Sequence, residues 1–417
     1  MNAFFGYQCS ICGSEYSREE VIYTCPKDNG NLNVVLDYTT ITKTSTPESI
    51  KLSKEYSLWR YLPLLPVSDP GGENTPLHAA GYSPTYELTS LAHQLNIDRL
   101  WIKDESRNPT ASFKDRASAV VIARAKEIAS EVVVTASTGN AGAALAGMAA
   151  AIGQKAVIFA PRSAPPAKIA QLLIYGAQVY LVEGSYDDAF DLTISVANEF
   201  GWYCRNTGYN PFTAEGKKTA AFEIWEWMLH LKPVLKKPPV IFVSVGDGNI
   251  ISGLHKGFLD LINLGWLDHL PRLFGVQAQG SAAIAKAYFA GMEEIKPVKA
   301  QTLADSISVD LPRDGIRAIR AARDTAGGYV VVTDDEILAS ISELGKSGIF
   351  AEPAGAASYA GMVKALREGI IGGDDPVLVI NTGNGLKDIQ AAMRAVGQPI
   401  TIQPTLPALK IAMQHSR

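Results

Sequence analysis

Cysteine is scarce in this chain, with four in 417 residues. So few exclude a disulfide framework as the basis of the fold. Charge is also sparse, at 19% of residues, and the formal net charge of −4 supplies no global basic field to attract nucleic acid or an acidic membrane surface. No apolar run is long enough to span a bilayer. The opening residues, Met1 to Gly6, lack the basic segment and long apolar stretch of a secretory signal. Short-period repeats and low-complexity tracts are absent. The expectation is a cytoplasmic protein with neither a nucleic-acid nor a membrane partner. What is plentiful is apolar residues, 47% of the chain, enough for globular cores in two or three domains.

Three of the four cysteines crowd the start: Cys9-x2-Cys12, then Cys25-Pro26-Lys27-Asp28. A pair of C-x2-C knuckles places cysteine at position 28, where this chain has aspartate. Zinc accepts three thiolates and a carboxylate, although closed structural sites more often use cysteine and histidine. Two readings stay open: a zinc site with Cys9, Cys12, Cys25 and Asp28 as ligands, or a ribbon that has lost its metal. Cys204, isolated in Trp202-Tyr203-Cys204, reads as a packed core thiol. Residues 37–53, rich in Thr, Ser and Lys, read as a linker.

The main body begins at Tyr56, and from Asp115 on helical and strand patterns alternate. Helices are expected over 117–129, 142–152, 168–175 and 186–200. Strands are expected over 132–136, 156–160 and 179–182, then near Ile241, over 273–276 and near Leu378. Such alternation makes parallel-sheet βαβ units.

Four junctions stand out. In Asn108-Pro109-Thr110-Ala111-Ser112-Phe113-Lys114-Asp115-Arg116 the Asn-Pro step reads as a turn. Ser112 and Asp115 read as a capping box that starts a helix. Lys114 then sits in the first turn, where the helix dipole favours the neutral amine that a Schiff base requires. Taken alone, Lys114 reads more simply as a surface lysine in a helix cap. Asp115 and Arg116 read as structural, holding the loop by a local ion pair. The other three junctions are apolar strands opening into small polar loops: Ser137-Thr138-Gly139-Asn140-Ala141-Gly142, Gly246-Asp247-Gly248-Asn249 and Thr382-Gly383-Asn384-Gly385. In open α/β sheets ligands lie outside the carboxyl ends of the strands, so these loops mark a ligand site.

Together and in this order the four segments resemble the pyridoxal-phosphate enzymes of fold type II and, within them, the threonine synthase family. The resemblance runs from Thr75-Pro76-Leu77 to Asp388, taking in Asn210 to Ala220 and Glu352 to Ala357. It implies an α/β fold of two doubly wound parallel-sheet domains behind a zinc-ribbon-like segment, residues 1–36. The large, cofactor-binding domain is expected over 37–116 and 207–417, and a small mobile domain over 117–206. A homodimer is implied too.

The resemblance makes Lys114 the Schiff-base lysine and Asn140 the contact to the phenolic oxygen of pyridoxal phosphate. The loop Gly246, Asp247, Gly248, Asn249 and Ile250 holds the cofactor phosphate, with glycines letting N–H groups converge on a dianion. A carboxylate beside a phosphate is unfavourable, so Asp247 is expected to turn outward. Thr382 faces the pyridine nitrogen. Ser137, Thr138 and Gly139 are expected to grip the substrate α-carboxylate. Lys168, Arg162, Ser163 and Asn210 are candidates for the phosphate of a phosphorylated amino-acid substrate. Where the family commonly has arginine after Asn-Pro-Phe, this chain has Thr213.

The reaction implied is O-phospho-L-homoserine plus water to L-threonine plus phosphate. Two other readings remain: a related fold type II enzyme, such as cysteate synthase or a threonine/serine dehydratase, and a non-catalytic binding protein. No amino-acid-sensing domain is recognisable after Asp388, which weighs against a regulated dehydratase.

Overall fold

Runs of β-branched residues build the centre of the molecule. The computed structural model describes residues 3–415 apart from 138, 163, 165, 232–234 and 236. Thirteen strands are formed among the described residues: β1 (Phe4–Cys9), β2 (Glu15–Ser17), β3 (Leu32–Leu36), β4 (Thr85–Glu87), β5 (Arg99–Asp104), β6 (Val132–Ala136), β7 (Lys155–Pro161), β8 (Gln178–Val182), β9 (Tyr203–Cys204), β10 (Val240–Ser244), β11 (Arg272–Ala278), β12 (Gly328–Val332) and β13 (Pro376–Asn381). They make three sheets, ordered β2-β1-β3, β12-β11-β10-β13-β5-β4 and β8-β7-β6-β9.

The first sheet is antiparallel and forms the N-terminal ribbon. The second is parallel except for its edge pair β4 and β5. The third is wholly parallel. Every residue of β6, β10 and β13 is buried, as strands covered by helices on both faces must be. This is the α/β fold type II architecture.

The stretch expected to be a linker is instead helical over Tyr38–Thr44 and Pro47–Lys51. Its hydroxyl-rich composition supplies caps. Asp37 accepts from the Thr40 N–H, and Thr46 with Ser49 forms a capping box ahead of Pro47. Ile41 and Ile50 bury the inner face.

The second sheet determines where the loops meet. β10, β13 and β5 lie side by side and parallel. The Gly246 loop, the Thr382 loop and the segment leading to Lys114 therefore leave the sheet at one edge. That edge is further stitched. The Phe113 N–H donates to the Thr382 carbonyl at 2.9 Å, the Asn384 N–H to the Ala111 carbonyl at 3.1 Å, and Ser112 bridges Gly383.

Candidate active site

Lys114 is the first residue of the helix Lys114–Glu127. The expected capping box is not formed. The Ser112 hydroxyl is buried without a hydrogen-bond partner among the described residues. Asp115 turns back to Thr110, accepting from its N–H at 2.7 Å and from its hydroxyl. The carboxylate is committed to the turn, so it neither caps the helix nor pairs with Arg116. Buried there, Asp115 is pushed up to about 6.

Arg116 pairs at long range, with Glu105 at 2.7 Å and with Glu223. All three are buried, and Lys103 joins Glu223 at 2.6 Å. This network fastens the end of β5 to the helix Phe212–Leu231. Ala111, three residues before Lys114, is held at φ 64°, a conformation costly for a side chain with a Cβ.

The Lys114 amine has neither a hydrogen bond nor an ion pair among the described residues. Burial lowers its pKa. Arg205 and Lys387 push the same way, against Glu352 and Asp247. It lines a cavity with Lys217, Ser244, Gly246, Asp247, Gly248, Asn249, Ile250, Ser306 and Thr382. The Thr382 hydroxyl lies 3.3 Å from that of Ser244. Gly248 takes φ 94° and begins the helix Asn249–Asn263, so the N–H groups of its first turn point at the cavity. A Cβ at Gly248 would meet the Asp314 carbonyl at 2.6 Å.

Asp247 is not turned out to solvent. Its carboxylate accepts from the Arg313 N–H at 3.3 Å and lies in the field of Lys217, Arg313 and Lys114, while burial raises its pKa.

Two buried cations, Lys217 in the cavity wall and Arg205 in its field, had no role from sequence. Lys217 is buried and, among the described residues, has only the Asn249 side-chain carbonyl as partner. Burial, with Lys114 and Arg205 nearby, holds its pKa well below that of an ordinary lysine. Arg205 is buried as well, and its Nη2 is unpartnered among the described residues. Burial brings it down to about 10. Three cations around one carboxylate, with glycine N–H groups converging, is a donor set short of a dianion. The residues therefore fit a phosphorylated cofactor whose aldehyde reaches Lys114. The one sequence sign of Lys217 is its spacing. It lies one helical turn beyond Thr213, and the Thr213 hydroxyl reaches the same Asn249 oxygen at 3.2 Å.

A second cavity, of about 360 Å³, adjoins the first and is lined by Ala111, Gly139, Asn140, Lys168, Gln171, Asn384, Leu386 and Lys387. The Asn140 amide donates to Glu352 at 2.7 Å. Burial raises the Glu352 pKa, opposed by Lys387, Lys114 and Lys168. Ser137 is buried and accepts from the Gly139 N–H at 3.1 Å. Lys168 pairs with Asp305.

Two candidates are occupied elsewhere. Arg162 is exposed and paired with Glu183. Asn210 is buried in its own turn, donating to the Cys204 carbonyl at 2.7 Å and accepting from the Phe212 N–H at 2.9 Å. Thr138 and Ser163 lie outside the described residues.

Comparison with known proteins agrees with this chemistry. Residues 76–383 match the family of pyridoxal-phosphate dependent enzymes. The threonine synthase of Methanocaldococcus jannaschii is 39% identical over 97% of this chain and 98% of its own length. That of Methanosarcina acetivorans is 38% identical over 97% and 98%. The chain belongs to the threonine synthase family.

Among solved structures, threonine deaminase isoform 2 of Solanum lycopersicum superposes with a TM-score of 0.66 at 23% identity, covering 80% of this chain and 96% of that one. At that identity the likeness speaks to the fold alone. Membership of the threonine synthase family gives the cofactor, pyridoxal phosphate, and the enzyme class, a cofactor-dependent lyase. No helix among the described residues is long and apolar enough to cross a membrane.

Proposed function

We infer that the chain converts O-phospho-L-homoserine and water to L-threonine and phosphate. The observation that carries this reading is the pair of adjoining cavities. Each is lined by lysines, with Lys114 in the first and Asn140 in the second, and the Asn140 amide donates to the Ser306 hydroxyl of the first at 3.4 Å. Pyridoxal phosphate, when bound, supplies an electron sink for the substrate carbons.

The chain's residues divide the rest of the work. The Gly246–Ile250 N–H groups and the Lys217 amine hold the cofactor phosphate. The Thr382 hydroxyl faces the ring nitrogen, and a hydroxyl leaves that nitrogen unprotonated. Asn140 steadies the phenolic oxygen, its own orientation fixed by Glu352. The lowered pKa of Lys114 keeps its amine able to take the Cα proton and return protons along the side chain. Ser137, Thr138 and Gly139 receive the α-carboxylate. Lys168 and Lys387, across the second cavity, receive the substrate phosphate. Lys387 thus takes the place first given to Arg162 and Asn210.

Residues 117–206 act as a small domain that closes on the substrate and excludes water until it is needed. The same reading makes the enzyme a cytoplasmic homodimer without nucleic-acid partners.

The test is phosphate release from O-phosphohomoserine and from O-phosphoserine, with identification of the amino-acid product. Threonine is expected from the first substrate only. A keto acid, or turnover of O-phosphoserine alone, rejects the assignment. Lys114→Ala should remove the visible absorption band of the bound cofactor and lower turnover by at least about 10²–10⁴-fold.

A further inference from the structure

Outside the cavities, four ligand-type side chains converge in the ribbon. One donor atom each from Cys9, Cys12, Cys25 and Asp28 lies within 4.8 Å of every other. All the cysteines are free thiols. Cys12 and Cys25 sulfurs are 3.7 Å apart, and the Cys9 sulfur is 3.3 and 3.6 Å from the two Asp28 oxygens. A disulfide requires about 2.05 Å. Tetrahedral zinc with Zn–S of about 2.3 Å and Zn–O of about 2.1 Å has S···S edges near 3.8 Å and S···O edges near 3.6 Å. The Cys12–Cys25 and Cys9–Asp28 spacings match two opposite edges of such a tetrahedron, and the other pairs lie within 4.8 Å.

The two turns that carry these groups share one plan. In the first, Gly13 follows Cys12 at φ 71°, and its N–H donates to the Cys9 carbonyl at 3.1 Å. In the second, Asn29 follows Asp28 at φ 56°, and its N–H donates to the Cys25 carbonyl at 2.8 Å. Asp28 thus stands in its turn where Cys12 stands in the other. The Ile11 N–H points at the Cys9 sulfur at 3.3 Å, and the Gly30 N–H at Asp28 Oδ1 at 2.8 Å. These are the outer contacts that orient metal ligands. A Cβ at Gly30 would meet the Cys9 sulfur at 2.8 Å and Asp28 Oδ1 at 2.9 Å, so glycine is what lets the two turns close on a common centre.

The ribbon also reaches the backbone that backs the Gly246–Asn249 loop. Asn31, directly after the second turn, donates to the carbonyls of Gly208 and Arg313. Arg313 and Asp314 in turn donate their N–H groups to Asp247. Asp314 then accepts from the Asn249 amide at 2.6 Å.

We propose that Cys9, Cys12, Cys25 and Asp28 bind one zinc-class divalent cation in a tetrahedral three-thiolate, one-carboxylate site, and that the ribbon so fixed buttresses the Gly246–Asn249 loop through Asn31 and Arg313. The second half rests on that loop being the cofactor phosphate cradle. The first half does not.

Full-length enzyme, as purified and after incubation with zinc, is expected to carry one zinc per chain. Cobalt(II) exchange should give the thiolate charge-transfer and tetrahedral d–d bands. Cys12→Ser should abolish them. Asp28→Ala should shift the bands and weaken metal affinity about 10-fold or more. Asp28→Cys should keep one metal, with a four-thiolate spectrum. Lys114→Ala should keep full metal content, which separates this site from the catalytic reading. Removing zinc should weaken pyridoxal-phosphate binding several-fold, read from the absorption of the bound cofactor.

A chain that takes up no zinc overturns the site. An Asp28→Ala variant with unchanged spectrum and affinity overturns the carboxylate ligand. Unchanged cofactor affinity in the metal-free chain overturns the buttress.

Discussion

Asp115 shows how far one residue's role depends on its neighbours rather than on its position in a motif. In sequence it follows Lys114 and precedes Arg116, and a local ion pair is the simplest reading. In the fold it is fully buried against Thr110, while Arg116 turns to Glu105 and Glu223. Burial raises the Asp115 pKa from 3.8 to about 6. A raised acid binds more protons in the folded than in the unfolded chain between those values. Its contribution is therefore full below about pH 4 and is lost as pH rises through 6. The difference amounts to about 3 kcal/mol at most. Asp115→Asn keeps an acceptor for the Thr110 N–H and a group for its hydroxyl, and removes the titration. Urea unfolding at pH 4 and pH 7 should show the variant gaining on the parent as pH rises. A parallel pH dependence in both proteins refutes the assignment. The Arg116 network has the opposite character. Arg116→Met leaves two buried carboxylates with only Lys103 between them, and should cost about 3–5 kcal/mol in the same assay.

At the scale of elements, the readable parts are those whose signals are local. The helix Tyr186–Phe200 was expected with those ends and has them, because Ser185 and Asp188 form a capping box and Gly201 closes it at φ 68°. β6, a run of five buried residues, is equally plain. β5 was not anticipated, since Lys103 and Asp104 look like surface charges. They are buried because Glu223 and Asn381 reach them from far along the chain. Lys217 was overlooked for the same reason. Its helix, Phe212–Leu231, is buried over most of its length, and nothing nearby in sequence says which lysine faces a cavity.

That lysine gives a prediction with two opposed signs. Without cofactor, Lys217 is a buried cation beside two others. Lys217→Met should therefore leave the cofactor-free chain as stable or more stable. With cofactor it loses a charge-assisted bond to phosphate worth about 1.5–3 kcal/mol, so affinity should fall about 10–100-fold. Thermal unfolding with and without pyridoxal phosphate separates the two effects. Equal losses in both states mean Lys217 is only a packing residue. Gly248→Ala tests the same loop by shape. The φ of 94° and the 2.6 Å approach to Asp314 should cost about 1–3 kcal/mol and weaken the cofactor together.

At the scale of the molecule, polar bonds between the two parallel sheets' regions run along the active-site seam. Lys168 pairs with Asp305, Asn140 with Glu352, Arg313 with Asp187 at 2.8 Å, and Lys387 donates to Gln171 at 3.3 Å. The two ion pairs are partly exposed and worth about 0–1 kcal/mol each, whereas Asn140–Glu352 is buried and is the stronger tie across the seam. Lys168 is the informative member. Its amine lines the second cavity, yet its partner Asp305 precedes Ser306 and Ile307 at the first. A phosphate entering the second cavity must compete with Asp305 for that amine. Lys168→Ala should then raise KM for O-phosphohomoserine about 10-fold or more through loss of a charge-assisted contact. Asp305→Asn should do the reverse, lowering KM by up to about 5-fold with kcat unchanged, as the displaced pair no longer opposes binding. Steady-state kinetics at low and high ionic strength decide it. A rise in KM for Asp305→Asn means the pair holds the seam closed instead of reserving the lysine for substrate.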